Sequence, residues 1–322
     1  MPPQYTQQHY RSVRLGVVTA TYRCLLLGLL VLVTGCVRYE DGQASFDAGD
    51  HQNAFARWHL LAKFGDPRAQ NEIGWMYQHG LGIDPDPSQA ARWYRKAAVQ
   101  GLAVAQTNLG IMYNDGEGVV KDPREAARLF DLAARQNDAA ALNNLGVLYD
   151  KGTGVPEDNR RAAELLQKAA ELGHPRAMSN LGLLYKNGEG VPQDAATAVK
   201  CFKASAEKND REGLNNLAVM LDNGFGTSPD HAGAMKLFQR AARAGESAAA
   251  LNLALMHLRP GTSEDKLNED RNSRLIEAYA WLNVAASLGQ TEAIARRGEL
   301  SATLNGEQIA EAQALSLKLL ER

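Results

Sequence analysis

The chain is predicted to be an all-α solenoid of helical hairpins, and three columns of residues recurring every 36 positions predict it. Ile73-Gly74, Leu109-Gly110, Leu145-Gly146, Leu181-Gly182, Leu217-Ala218 and Leu253-Ala254 form the first. Paired glycines beginning at Gly80, Gly116, Gly152, Gly188 and Gly224 form the second. Asp50, Asp86, Asp122, Asp158, Asp194 and Asp230 form the third. A fixed period in this range marks one supersecondary unit repeated along the chain, each copy too small to bury its own apolar face alone.

Each element of the unit follows from the stacked columns. A first helix opens on Ala69, Ala105, Ala141, Ala177, Gly213 and Ala249, four residues before the Leu or Ile of the first column. Two further apolar columns follow, from Trp75 to Leu255 and from Met76 to Met256. That spacing gives a helix with a wide apolar stripe. A glycine inside a helix costs about 1 kcal/mol against alanine, so Gly74, Gly110, Gly146 and Gly182 in register imply a close helix–helix approach. The glycine pairs then stop the helix, supplying the φ > 0 conformations a C-terminal cap needs. The aspartate column caps a second helix, with Pro87 and Pro123 suited to its first turn. Its core columns are alanines, from Ala54 to Ala234 and from Ala98 to Ala242, with Tyr94, Phe130, Leu166, Phe202 and Phe238 between them. Gly101, Asn137, Gly173, Asn209 and Gly245 close it, the two residue types that tolerate a left-handed cap.

With these columns in place, the chain resembles Sel1-like repeat proteins, relatives of the tetratricopeptide solenoids. The pattern A-x-x-x-L-G-x-x-Y-x-x-G-x-G-V runs from Ala141 to Val155, and A-x-x-W-Y-x-x-A-A-x-x-G runs from Ala90 to Gly101. The resemblance covers residues 46–290, as one partial and six full repeats, and implies a right-handed αα-superhelix. Residues 291–322 lack the repeat but carry Ile294, Leu300, Ile309, Leu315 and Leu319, as expected of a helical cap over the last hydrophobic face. Just before them, His257 to Ser263 replace the glycine turn, and Trp281 falls in the place of Trp93.

The N-terminal region reads differently. An uncharged stretch from Cys24 to Val37 follows Arg11, Arg14 and Arg23, with no acidic residue before Glu40. It is shorter than the roughly 20 residues a membrane span needs and suits a signal-peptide core. Val33-Thr34-Gly35-Cys36 resembles a bacterial lipobox. That resemblance implies a lipoprotein signal peptide over 1–35, diacylation of Cys36, a flexible tether over 36–45 and a lipid-anchored place in the bacterial cell envelope. Val37 after the cysteine favours the outer membrane.

Composition narrows the function. Net charge is −2, and removal of Arg11, Arg14 and Arg23 with the signal makes it −5; a nucleic-acid binder should instead carry a basic footprint. Of three cysteines, Cys24 lies in the signal, Cys36 is the proposed lipid site and Cys201 stands alone, so no disulfide framework is expected in the mature chain. The histidines at 9, 51, 59, 79, 174, 231 and 257 form no H-x-x-x-H pair or cysteine cluster, and neither a metal nor another cofactor is expected.

Ser205-Ala-Glu-Lys208 matches the S-x-x-K nucleophile motif of penicillin-recognising enzymes, and some Sel1-like proteins are linked to β-lactams. Yet Ser205 occupies a small-residue packing column with Ala97, Ala133, Ala169 and Ala241, and neither K-T-G nor S-D-N accompanies it. The glycine turns lack the G-x-x-x-x-G-K-[ST] pattern and preceding strand of a phosphate loop. The remaining polar column is Asn108, Asn144, Asn180, Asn216 and Asn252, beside Thr107, Asn143, Ser179 and Asn215. In tetratricopeptide relatives, first-helix asparagines on the concave face grip a partner's backbone, which suits an amide that both donates and accepts. The alternative is that they bond groups within the solenoid. Leu142, Met178 and Leu214 adjoin this column, either as apolar contact or as core.

The expectation is therefore a non-enzymatic, membrane-tethered scaffold that binds a protein or peptide partner on its concave face. The alternatives are a protein that binds or hydrolyses β-lactams or peptidoglycan fragments, and an assembly factor for an outer-membrane or exopolysaccharide export complex. If Cys36 carries the anchor, Cys36→Ser should move the protein from the membrane to the soluble fraction on cell fractionation; unchanged membrane association would rule the anchor out.

Overall fold

The structure, a computed structural model, describes residues 37–259 and 268–320, so the signal segment 1–35 and Cys36 lie outside the described residues. Sixteen helices and no strand are found among the described residues. The chain divides into two compact units, residues 1–138 and 139–322. Unit one holds α1 (Tyr39–Asp47), α2 (His51–Lys63), α3 (Pro67–His79), α4 (Pro87–Val99), α5 (Ala103–Asp115) and α6 (Pro123–Ala134). Unit two holds α7 (Ala139–Lys151), α8 (Asn159–Glu171), α9 (Pro175–Asn187), α10 (Ala195–Glu207), α11 (Arg211–Asn223) and α12 (His231–Arg243). It continues with α13 (Ser247–Leu258), α14 (Asn268–Ser287), α15 (Thr291–Ser301) and α16 (Gly306–Leu320).

Helix ends fall where the capping columns place them. Asp50, Asp86, Asp122, Asp158, Asp194 and Asp230 are N-caps whose carboxylates accept backbone N–H bonds from the first turn. Pro87 and Pro123 occupy that turn, and Asn137 and Asn209 hold the positive φ of the left-handed caps.

In the four hairpins that carry a glycine in this column, the bare backbone of the first helix receives the large side chain of the second. A Cβ added at Gly110 would lie 2.6 Å from Cε1 of Phe130, closer than any real contact allows. Tyr94 and Phe202 meet Gly74 and Gly182 in the same way, and Leu166 meets Gly146 at 2.9 Å. Tyr94, Phe130, Leu166, Phe202 and Phe238 are all at most 2 % exposed. The turn glycines have a second role. A Cβ on Gly118, whose φ is 66°, would strike the carbonyl of Pro87 at the start of α4, so the turn of one repeat rests on the backbone of the repeat before it.

One stretch departs from expectation. The flexible tether expected over 36–45 instead contains most of α1. Tyr39, Gly42 and Phe46 lie at helical spacing and face α2: Trp58 donates from Nε1 to the Tyr39 carbonyl (3.1 Å), its indole covers Gly42, and the Phe46 ring lies beside it, tilted by 31°. The short run hides this pattern, because the glycine that carries it reads as a flexible residue.

At the other end, α15 and α16 pack on α14. Leu300, Leu304 and Ala312 are buried, with Ile309, Leu315 and Leu319 half-buried against the same core, whereas Ile294 is exposed. Trp281 is 3 % exposed within that core.

Gly110→Leu should destabilise the protein by about 1–3 kcal/mol through overpacking against Phe130. Lengthening the Gly152–Gly154 turn by one residue should cost less. A thermal-melt comparison that found equal losses would contradict the close-approach account.

Candidate interaction site

The asparagine column lies on first helices, half-buried, with the small polar column beside it mostly buried. The two columns bond across repeats. In unit one, Asn108 donates from Nδ2 to Asn71 Oδ1 (3.1 Å), and Asn71 donates to Glu72 (3.2 Å). In unit two, Asn180 donates to Asn143 (2.9 Å), Asn216 to Ser179 Oγ (3.2 Å) and Asn252 to Asn215 (3.1 Å). Each bond reaches back 37 residues, one more than the repeat, because it joins neighbouring columns of successive first helices. Asn144 instead accepts from Asn143 (3.3 Å).

These amides are only half committed. The Oδ1 atoms of Asn108, Asn180 and Asn252 accept from no group among the described residues. Each column member also has a half-buried apolar neighbour three residues on, the helical spacing that puts both on one face: Ile111, Val147, Leu183, Val219 and Leu255. Where α7, α9 and α11 line up, these features enclose a recess of about 350 Å³. Val147 and Leu183 give it apolar wall, Asn180 an amide, and Asp150, Glu189 and Glu212 carboxylates. Burial pushes the Asp150 carboxyl upward, and the neighbouring Glu189 charge adds to that. Glu212 is 3.6 Å from Arg176. Leu142 and Leu214, by contrast, are 2 % exposed and belong to the core.

Two polar devices had no clear signal in the sequence. Gln70 and Gln106, in the column that becomes Leu142 further on, donate to the carbonyls of Ala62 and Ala98 at the end of the preceding hairpin. Gln100 and Gln136 then donate to their Oε1 atoms (2.8 and 3.0 Å), tying the end of each second helix back to the first helix of its own hairpin. The other device is Asp222, whose side chain is 4 % exposed. Arg259 Nη2 lies 2.6 Å from one carboxylate oxygen, and Arg259 Nη1 donates to the other (2.9 Å). His231 Nδ1 meets that second oxygen at 2.7 Å. Burial alone would raise this carboxyl, but the Arg259 and His231 bonds outweigh it and hold it below the ordinary range. The arginine fork thus anchors the end of α13, in the segment where the glycine turn is missing.

Ser205 does not present a nucleophile. It is fully buried, with Oγ 2.9 Å from the Pro175 carbonyl and 3.0 Å from the Asp210 carboxylate, while Lys208 caps the exposed end of α10. It closes a packing contact with Gly213, where a Cβ would collide with it. Cys201 is half-buried, and burial raises its thiol pKa. Among the described residues no three His, Cys, Asp or Glu side chains gather as metal ligands, and no helix is long and apolar enough to cross a membrane.

Stacked helical hairpins with inter-repeat polar ladders define a solenoid scaffold of the tetratricopeptide-like kind. The Sel1 repeat pattern matches residues 67–102, 103–138, 139–174, 175–210, 211–246 and 247–290, and the chain belongs to the Sel1 repeat family. A Sel1 repeat protein from Oxalobacter formigenes is similar at 32% identity and a TM-score of 0.67, covering 77% of this chain and 96% of its own. A protective antigen present in uropathogenic Escherichia coli strains, displaying an SLR fold, is similar at 26% identity and a TM-score of 0.62, covering 91% of this chain and 73% of its own. The comparison with curated proteins gave no match.

Asp222→Asn keeps the shape and loses the charge, and should cost about 1–3 kcal/mol at neutral pH. A carboxyl held low in the fold stabilises it above its unfolded pKa and loses that contribution as pH falls through the folded value. The gap between wild type and variant should therefore close below about pH 4. Melting curves recorded across pH 3 to 8 check both, and a gap independent of pH would refute the assignment to charge.

Proposed function

We propose that this protein is a membrane-tethered, non-enzymatic adaptor whose first-helix face holds an extended segment of a protein partner. The observation that carries the reading is the recess at α7, α9 and α11. There an amide with an uncommitted acceptor, two apolar walls and carboxylates stand together, on a face where the amide and apolar columns recur with each repeat. An extended backbone presents N–H groups at regular intervals, and preorganised acceptors bind it without the ordering cost that a flexible surface incurs. Apolar neighbours would take alternate side chains, while the carboxylates favour a segment with a basic residue. Tethering rests on the lipobox-like Val33–Cys36, with Val37 pointing to the outer membrane.

In-cell crosslinking followed by affinity capture tests the adaptor reading. Wild type should enrich a partner that an Asn144→Ala, Asn180→Ala, Asn216→Ala variant loses while keeping its circular dichroism spectrum. Identical partner lists would return the column to a purely structural role. Because two of these amides donate to the ladder, the variant should also melt lower by about 0.5–1.5 kcal/mol for each bond lost, and the capture is read at a temperature where both proteins are folded.

A further inference from the structure

A second surface, on the second helices α2 and α4 of unit one, carries a separate signal. Neither α2 nor α4 contains an acidic residue, although the whole chain has a net charge of −2. On α6 and α8 exposed cations sit beside acids close by in sequence, Arg128 on Glu125 (2.7 Å), Arg135 on Asp131 (2.8 Å) and Arg161 on Glu164 (2.9 Å), whereas α12 shares the acid-free composition of α2 and α4. On α4, Arg92, Arg95 and Lys96 have no carboxylate within ion-pair distance among the described residues. Arg95 is held by the Tyr113 hydroxyl (2.8 Å), and Lys96 Nζ lies 3.5 Å from the centre of the Trp93 ring. Asp86, the nearest acid in sequence, has Oδ1 engaged by the Ser88 and Gln89 N–H groups as the α4 cap.

These cations border a groove of about 710 Å³, with Trp93 at its base and Val99, 83 % exposed, at its edge. Gln70 and Gln100, bonded to each other, offer amides on the rim. Across from Trp93, His59 meets it edge to face at 5.7 Å. Burial, then Lys63 and Lys96, push the His59 pKa down, so Lys63 extends the positive field across to α2. Cations with no acids among them, around an apolar recess, complement an anionic partner that also brings an apolar side chain. A recess floored by an indole and edged by amides suits a peptide; a lipid surface would be met by apolar side chains that protrude.

We infer that the α4 groove, bounded by Arg92, Arg95, Lys96, Trp93 and Val99, binds an acidic peptide segment of a protein partner. The inference rests on the adaptor reading above but assigns a second face and a partner segment of opposite charge.

The test is fluorescence anisotropy with the full chain in detergent and a labelled twelve-residue peptide of alternating Glu and Leu, against the same peptide with Gln for Glu. The Glu peptide should bind at least about tenfold more tightly, and the preference should shrink as salt rises. An Arg92→Gln, Arg95→Gln, Lys96→Gln variant should lose the preference, as should the single exposed change Val99→Asp should the triple variant fold poorly. Equal affinity for both peptides, or unchanged binding by either folded variant, overturns the inference. Charge-dependent binding to phosphatidylglycerol vesicles with none to the peptide overturns it in favour of a lipid surface. The asparagine-column capture is read independently, so a partner lost there while the α4 variants behave as wild type sinks this inference and leaves the adaptor reading standing.

Discussion

Everything in this fold depends on how closely two helices of one hairpin approach. The ring of Phe130 lies against the backbone of α5 at Gly110, and Tyr94, Leu166 and Phe202 repeat the contact at Gly74, Gly146 and Gly182. Without a Cβ in the way, the second helix sits deep enough for its alanine columns to bury and for Met76, Met112 and Leu148 to close the space behind. Interiors are packed as densely as organic crystals, so this depth sets where the next hairpin meets the first. The turn glycine at 118, resting on the Pro87 carbonyl, then transmits that position from repeat to repeat through rigid backbone.

The polar ladders follow from the same geometry. Because successive first helices are held at a fixed offset, an asparagine in one column meets the small polar residue of the neighbouring column in the preceding repeat, and buried amides find partners. The two glutamine clamps do the same between second and first helices in unit one, where Leu142 and Leu214 later substitute apolar packing. One repeat thus varies its chemistry without altering its frame, which is how different faces of a single solenoid acquire different charge.

Residues that act within one helix or turn were legible in the sequence. Asp86 or Asp158 as a cap, Asn137 as a left-handed terminus and Gly110 as a close approach each declare a local requirement that few residue types meet. Residues that act between repeats were less so. Asn180 signals a repeated polar position, but its bond to Asn143 depends on the stacking offset, which no single helix encodes. The Asp222–Arg259 pair was hidden for the same reason, since its members belong to different repeats and only Asp222 lies in a repeat of ordinary length. Helix α1 is not legible in the sequence because Tyr39, Gly42 and Phe46 are too few to establish a period, and the partner that makes them helical, Trp58, comes after a turn.

The reach of 37 residues in the asparagine ladder has a consequence for how such a chain changes length over generations. A segment whose length is not a multiple of the 36-residue repeat, cut out or copied in, would leave donors facing the wrong column and the turn glycine off its carbonyl. A whole repeat, cut anywhere, restores both. Growth and shrinkage are in effect quantised: the gene can gain or lose binding surface in units of one hairpin, and the joints between old and new copies are correct on the day they are made.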